Sequence, residues 1–514
     1  MFLAGLRRVN FVGNSARCWL TRHVSIPTDH AHAPNSGLDS FQPSLKLAFE
    51  LYNSGRHAEA ESACLSLMQI NPRDGQLLFL LGMILQKTGR NSEALKYLEQ
   101  AAELQPQAAR IYNGLGAAHQ SLHDPARAVD NYARAVELGL QASETFYNMG
   151  NACYEIGDVE RAALLFQNVV EINPQDVASW NNLGKCLVDL NRLDESMQAY
   201  DRAVAIDPDH ALAHYGRAIS LLTAGRLQDG FREYNRWRRH GIKPRQFPQP
   251  EWHGEPVPGS TLFLHAEQGF GDAIQNVRLV SLARDRVGKV VLECRPELKT
   301  LFMHSECADV IISFGEEIPP FDCFTSLINL PGILDITLST IPNRVPYLKV
   351  PSGGQLPPAP NGHLRVGLAW AGNPLHHNDA ARSIHLEELA PLLRVPGITF
   401  YSLQTPVPAH DKACFQSMSL VDLSGGLKDF LTAAKAVAEM DIIISVDTAV
   451  LHLAGALAKP VWALIPSSSD WRWLKERLDS PWYPTMRLFR QPQRGRWQPV
   501  IAQVSEELVN FHRA

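Results

Sequence analysis

The stretch Asp441-Ile442-Ile443-Ile444-Ser445-Val446-Asp447-Thr448-Ala449-Val450-Leu451-His452-Leu453-Ala454-Gly455-Ala456-Leu457 decides the fold of the C-terminal half of this chain. Its β-branched run reads as a buried parallel strand. A helical pattern with small residues on one side follows at once, and Asp447-Thr448 stands between the two. In open α/β sheets the crevice beyond such a strand end is where ligands bind. A helix start offers uncapped N–H groups and the positive end of the dipole, which suits a phosphate. Ala449, Ala454, Gly455 and Ala456 let the helix lie close to the sheet. An ordinary strand–helix unit with a capping residue accounts for the segment equally well.

Working outward, strands alternate with helices on both sides. Thr261 to His265 reads as a strand running into Glu267-Gln268-Gly269-Phe270-Gly271-Asp272, with a helix to about Arg286. Lys289 to Glu293 is a second strand; Val310-Ile311-Ile312 and Thr325-Ser326-Leu327 are shorter ones. After a Gly- and Pro-rich link the pattern restarts with a strand at 364–370 and a loop to Ser383. A helix near 386–394, a strand at 398–403, a helix near 427–439 and a strand at 461–465 follow. Two successive parallel α/β units predict a cleft between them, a common ligand site.

The first half is different. Residues 41–210 repeat with a period of 34, the period of tetratricopeptide repeats. Prolines fall at 72, 106, 174 and 208, and Leu140 takes the remaining place. Ala48, Gly82, Gly116, Gly150 and Gly184 mark the close crossing of paired helices, and Leu98, Tyr132, Phe166 and Tyr200 fill the space between hairpins. A sixth unit at about 211–240 ends in an aromatic and basic run, and reads as a cap that docks on the next domain. Asn113, Asn148, Asn151, Asn181 and Asn182 are placed to line a peptide groove or to sit in solvent.

At 514 residues the chain is too long for one core. We expect a tail at 1–40, a solenoid with capping helices at 41–240, and two α/β lobes at 259–355 and 362–514. A net charge of −5 argues against general nucleic-acid binding. Eight cysteines without a CxxC pair fit a reducing compartment and supply neither a disulfide framework nor a metal site. No apolar run is long enough for a transmembrane segment. Residues 1–28 hold four arginines and no acid, so they read as a disordered tail or an organellar transit peptide. A cytoplasmic location is expected, with an organellar one as the alternative.

The strings HAEQGFGDAIQNVR (265–278), PYLKV (346–350), GLAWAGNP (367–374), NDAARSI (378–384), SLQ (402–404), SVDTAVLHLAGALAKPVW (445–462), DWRW (470–473) and SPWYPTMRLFRQ (480–491) occur in an order that resembles the heptosyltransferase-like glycosyltransferases of family 9. The resemblance covers about 260–500. It implies a GT-B fold of two Rossmann-like lobes behind the solenoid, and inverting, metal-independent transfer from a nucleotide sugar with no cofactor. O-GlcNAc transferases share repeats and GT-B, with less of their local motif here.

Such chemistry needs a base for the acceptor hydroxyl and cationic or N–H donors for the departing diphosphate. Asp272 matches the family's Gly-Asp position and is the candidate base; capping its own helix is the competing role. Arg382, Thr448 and Ala449 are the candidate diphosphate contacts, Arg382 because its loop gives no other reason for an unpaired cation, with a surface salt bridge as its competing role. Asp447 would orient Thr448 or bind a sugar or ribose hydroxyl, and His452 would face the donor or pack. Asn373 is a further donor candidate, with turn chemistry as the simpler account. Glu267 and Gln268 are candidate acceptor contacts. Trp471 and Trp473 would stack on a ligand or belong to the core. No DxD-like carboxylate pair stands in a convincing loop. The acceptor is a protein or a glycan, and the repeats would recruit a protein partner. The rival reading is a non-catalytic scaffold whose α/β half senses a nucleotide sugar or is a degenerate transferase that merely packs.

Overall fold

The computed structural model describes residues 41–237, 245–353, 356–376 and 379–513. The expected N-terminal tail, with its targeting alternative, lies outside these. The chain divides into two compact units, Met1–Ile172 and Asn173–Ala514.

The described part of the first unit is four helical hairpins, opening with Phe41–Asn53 and His57–Met68 and closing with Ser143–Glu155 and Val159–Ile172. The small-against-large pairing read from the period is what holds them. A Cβ on Gly82 would lie 2.6 Å from Leu98, and one on Gly116 would lie 2.7 Å from Tyr132. Asp74 and Asp124 cap their helices by accepting from Leu77 and Arg127 N–H. Asn113 belongs to the packing: its Oδ1 accepts from Thr145 Oγ1 of the next hairpin (2.9 Å).

The second unit begins with helices Val177–Asp189, Leu193–Ile206, Ala211–Thr223 and Leu227–Trp237. Gly184 again meets the ring of its partner, Tyr200. The first and last of these helices dock on the α/β region. Phe231 packs edge-on against Trp471 (5.2 Å), Asn235 Nδ2 donates to the Asn329 carbonyl (3.0 Å), and Ser468 Oγ donates to Asp189 (2.7 Å).

Ten strands follow: β1 (Val257–His265), β2 (Val287–Cys294), β3 (Val310–Ser313), β4 (Cys323–Ser326), β5 (Leu364–Ala369), β6 (Ile398–Ser402), β7 (Leu420–Asp422), β8 (Ile442–Val446), β9 (Val461–Ile465) and β10 (Met486–Arg490). They form two wholly parallel sheets, β3-β2-β1-β4 and β7-β6-β5-β8-β9-β10. The second is the doubly wound order of a dinucleotide-binding fold, and the first repeats its opening four strands. The α solenoid is thus followed by an α/β GT-B arrangement of two lobes. Each sheet has its switch point where the chain reverses direction across it, between β1 and β4 and between β5 and β8.

Several local expectations change. The helix after β1 is not continuous to 286. It runs Phe270–Asn276, tightens to a 3₁₀ turn at Val277–Leu279 and resumes at Val280–Arg284, with Arg278 Nε occupying the Gln275 carbonyl (2.8 Å). The helix near 386–394 is split because Pro391 has no N–H to continue the Leu386–Leu389 turn. Strands β7 and β10 and the terminal helix Gln498–Arg513 were not read from the sequence. Gly455 makes its close approach to Tyr483, where a Cβ would lie 2.5 Å from the ring, rather than to a strand.

Candidate active site

Each switch point gathers charged and polar side chains. At the carboxyl end of β1, Glu267 Oε1 accepts from Ser326 Oγ at the end of β4 (3.1 Å), and Glu267 Oε2 lies 3.4 Å from His265 Nδ1. Glu293, at the end of β2, is buried and ion-paired with Arg245. Arg245, His265, Glu267, Glu293, Phe314 and Gly315 line a cavity of about 320 Å³. Beside it, Glu267, Gln268 and Asp272 share a narrow crevice floored by Leu327 and Ile328. The structure therefore brings the candidate base and both candidate acceptor contacts together.

Asp272 sits in the first turn of the Phe270–Asn276 helix and does two things. Its Oδ2 accepts from Gly269 N–H (3.0 Å), which is the capping role, and its Oδ1 accepts from Arg472 Nη2 of the other lobe. Arg472 is buried and also donates to Gln275 Oε1 (2.6 Å) and Asp470 Oδ1 (2.7 Å), with its guanidinium over the Trp471 ring. Burial opposes its charge; Asp470 and Asp272 more than offset this and raise its pKa. Sequence reading weighed the tryptophans on either side and passed over this arginine. Both tryptophans are core residues, 3% and 0% exposed, so the packing account of them holds.

At the second switch point Thr448 opens the Ala449–Ala456 helix with extended backbone. Its hydroxyl bonds Ser445 Oγ (3.1 Å) and does not cap the helix, so the first-turn N–H groups of Ala449 and Val450 are not taken by it. Arg382 lies against this helix start, with Nη1 donating to the Asp447 carbonyl (3.0 Å). The salt bridge that was its competing role is present. Asp379, one turn earlier, accepts from Arg382 Nε (3.2 Å), and the two are equally half-buried. Asn373 is exposed, and its Oδ1 accepts from Leu375 N–H (3.0 Å), the turn chemistry that was the simpler account.

Asp447 and His452 face each other behind this surface. Asp447 Oδ2 accepts from Trp473 Nε1 (2.9 Å), and its Oδ1 is 3.8 Å from His452 Nε2. Burial, helped by Asp470, lifts the Asp447 carboxyl to about 6, against the pull of the Trp473 hydrogen bond and of Arg382 and Arg472. Burial, with Arg472, Arg278 and Arg382 nearby, holds His452 well below the usual imidazole range, so it is neutral at pH 7. His452 Nδ1 meets Tyr483 Oη (2.9 Å), and Gly271 of the first lobe comes so close that a Cβ there would lie 2.7 Å from the ring. Arg278 adds a further link between lobes, donating to the Trp482 carbonyl (2.6 Å) and stacked between Tyr347 and Tyr483.

Residues 73–141 match one tetratricopeptide-repeat family, and 118–177, 147–211 and 198–246 match another. Residues 411–496 match glycosyltransferase family 9 (heptosyltransferase). The chain carries tetratricopeptide repeats followed by an α/β region of which residues 411–496 match family 9. The family 9 match contains Asp447, Thr448, Ala449, His452 and Arg472; Asp272 and Arg382 lie before it. Among curated proteins the chain is similar to Protein FlbA of Caulobacter vibrioides, 26% identical over 302 residues, 52% of this chain and 49% of FlbA. The alignment thus spans about half the length of that relative. Among solved structures, YrrB, described as a tetratricopeptide-repeat protein with an unusual peptide-binding site, is 22% identical over 34% of this chain and 92% of its own, with a TM-score of 0.33. A tetratricopeptide-repeat protein from Parabacteroides merdae is 17% identical over 40% and 82%, with a TM-score of 0.34. No helix among the described residues is long and apolar enough to cross a membrane.

Proposed function

We propose that the domain transfers a sugar from a nucleotide-diphosphate donor to an acceptor hydroxyl by single displacement with inversion, with no metal ion or cofactor in the transfer step. Asp272 takes the acceptor proton, and Glu267 and Gln268 bind acceptor hydroxyls in the shared crevice. Arg382 and the N–H groups at the start of the Ala449–Ala456 helix receive the departing diphosphate, replacing a divalent ion. The bonds of Arg382 to Asp379 and Asp447 use two of its five N–H donors. Asp447 is too close to that anion to bind it and serves a ribose or sugar hydroxyl. Thr448 contacts the phosphate, His452 supports Asp447, and Asn373 reaches the donor from its loop.

The observation that carries this reading is the contact of the two switch points. The helix of Asp272, in the crevice with the acceptor candidates, meets the element that would hold the donor through the Gly271–His452 packing, and Arg472 of the second lobe pairs with Asp272 beside it. A hydroxyl at one and a diphosphate at the other would meet there. The repeats recruit a protein or glycan-assembly partner, a role the fusion of a solenoid to a transferase favours. A cytoplasmic location would place the domain with nucleotide sugars.

A second reading rests on the same aspartate. Asp272 already has a cap and an ion pair for its two oxygens, as a purely structural carboxylate in a scaffold would. Calorimetric titration of the full chain with UDP-, GDP-, ADP- and dTDP-sugars tests the donor side, and loss of transfer in Asp272→Asn with donor binding intact separates a transferase from a scaffold that only senses the donor. One donor should bind, and Arg382→Ala should weaken it by about 1.5–3 kcal/mol, the size of a charge-assisted contact. A folded chain that binds none of the four favours the scaffold.

A further inference from the structure

We propose that His385, His410 and Asp411 bind a divalent metal ion of the zinc type, at a site separate from the transfer chemistry. One nitrogen of each imidazole and one Asp411 oxygen lie within 4.8 Å of one another. The imidazole rings meet edge to face at 4.6 Å, and His410 Nε2 is 3.6 Å from Asp411 Oδ2.

The carboxylate is the fixed member. Asp411 is buried, its Oδ2 accepts from Trp370 Nε1 (2.8 Å), and its Oδ1 accepts from Leu386 N–H (3.1 Å). These bonds orient it as outer-sphere bonds orient a metal-binding carboxylate. They also account for its burial, so the two imidazoles are not needed to satisfy it. Each oxygen keeps a second lone pair for a cation. Both histidines are exposed, so their rings can turn inward by the small amount that bonds of about 2.0–2.2 Å require.

The backbone holds the three together. His385 directly precedes the Leu386–Leu389 turn, and His410 and Asp411 lie in the Ala409–Asp411 turn beyond β6. Two imidazole nitrogens and one carboxylate oxygen suit zinc, copper or nickel better than magnesium or calcium. Three protein ligands leave a position for water. A bound ion would clip the chain just beyond Arg382 to the segment following β6, stiffening the loop that carries the diphosphate candidate.

The test is titration of the chelator-stripped full chain with Co²⁺, read by visible absorption, and displacement by Zn²⁺. The expected result is one tight equivalent that His385→Ala and His410→Ala each weaken by more than about tenfold, since even outer-sphere changes cost that much. Both histidines are exposed, so circular dichroism should show unchanged folding in each variant. The proposal is overturned if the wild-type chain binds no Co²⁺. It is equally overturned if both variants bind with wild-type stoichiometry and affinity, which would place the ion among other histidines.

Discussion

The two sheets share a winding order and differ in what they gather at the place where it reverses. At the carboxyl ends of β1, β2 and β4 stand Glu267 and Glu293, with His265 and the ion-paired Arg245 lining one cavity. Beyond β5 and β8 stand Arg382, paired with Asp379, and a helix start without a side-chain cap, with the Asp447 carboxyl behind it. One winding order thus carries two carboxylates lining a cavity on one side and a guanidinium beside unclaimed helix N–H groups on the other. The fold supplies the two positions; the residues at the strand ends supply the difference.

That contrast can be broken by experiment. The largest effect should come from Asp272→Asn, which can keep the helix cap through its oxygen, removes the base and gives up the ion pair with Arg472. On an acceptor the chain uses, turnover should drop about 10²–10⁴-fold while donor affinity stays put. Equal loss in donor binding would mean that the acidic side serves the donor too. Arg472→Ala removes the link between the sides and strands Asp272 and Gln275 at the interface. Urea unfolding should show a loss of about 3 kcal/mol or more, because an opposite charge is left partly buried. A change within 0.5 kcal/mol, the usual range for surface substitutions, would make the link incidental.

Asp447 offers a pH-dependent test. Its carboxyl is raised to about 6 from an unfolded value near 3.8, so the native state binds its proton more tightly. The resulting stabilisation is complete below about pH 4 and fades as pH rises through 6. Asp447→Asn should therefore stabilise the protein at pH 7.5 relative to pH 4.5, by at most about 3 kcal/mol. Thermal unfolding at the two pH values measures it, and a gain of the same size at both would remove the buried-charge account. The smallest effect belongs to Asn373→Ala. With an exposed turn to lose, stability should shift by less than about 0.5 kcal/mol. A large fall in donor affinity in that variant would bring the loop back into the anion side.

What the sequence disclosed follows range. The 34-residue period, the glycine–aromatic pairs such as Gly116 with Tyr132, and the strand–helix unit at 442–456 are written in contiguous or regularly spaced residues. The Asp379–Arg382 pair is three residues apart, and the sequence leaves it open whether that arginine pairs locally or meets a ligand. The bond from Arg472 to Asp272 spans 200 residues and that from Arg278 to Trp482 spans 204, with no local pattern to announce either. The only sign at Arg472 was a cation set between two tryptophans, a combination that suits a buried ion pair as well as a ligand shelf. Strand β7, three residues long, carries too little alternation to be recognised.

One feature of the core reaches beyond the site. Phe231 and Tyr234 of the last helical pair, Ile274 and Leu279 of the first lobe, and Leu451 and Leu453 of the second belong to one continuous apolar cluster. Three pieces that look separable along the chain are thus parts of a single cooperative body. Cutting between the lobes near residue 355 would not release two domains; it would leave two incomplete interiors. Any rearrangement that added or removed repeats would have to spare the final pair, because those helices are as much the wall of the α/β region as the end of the solenoid.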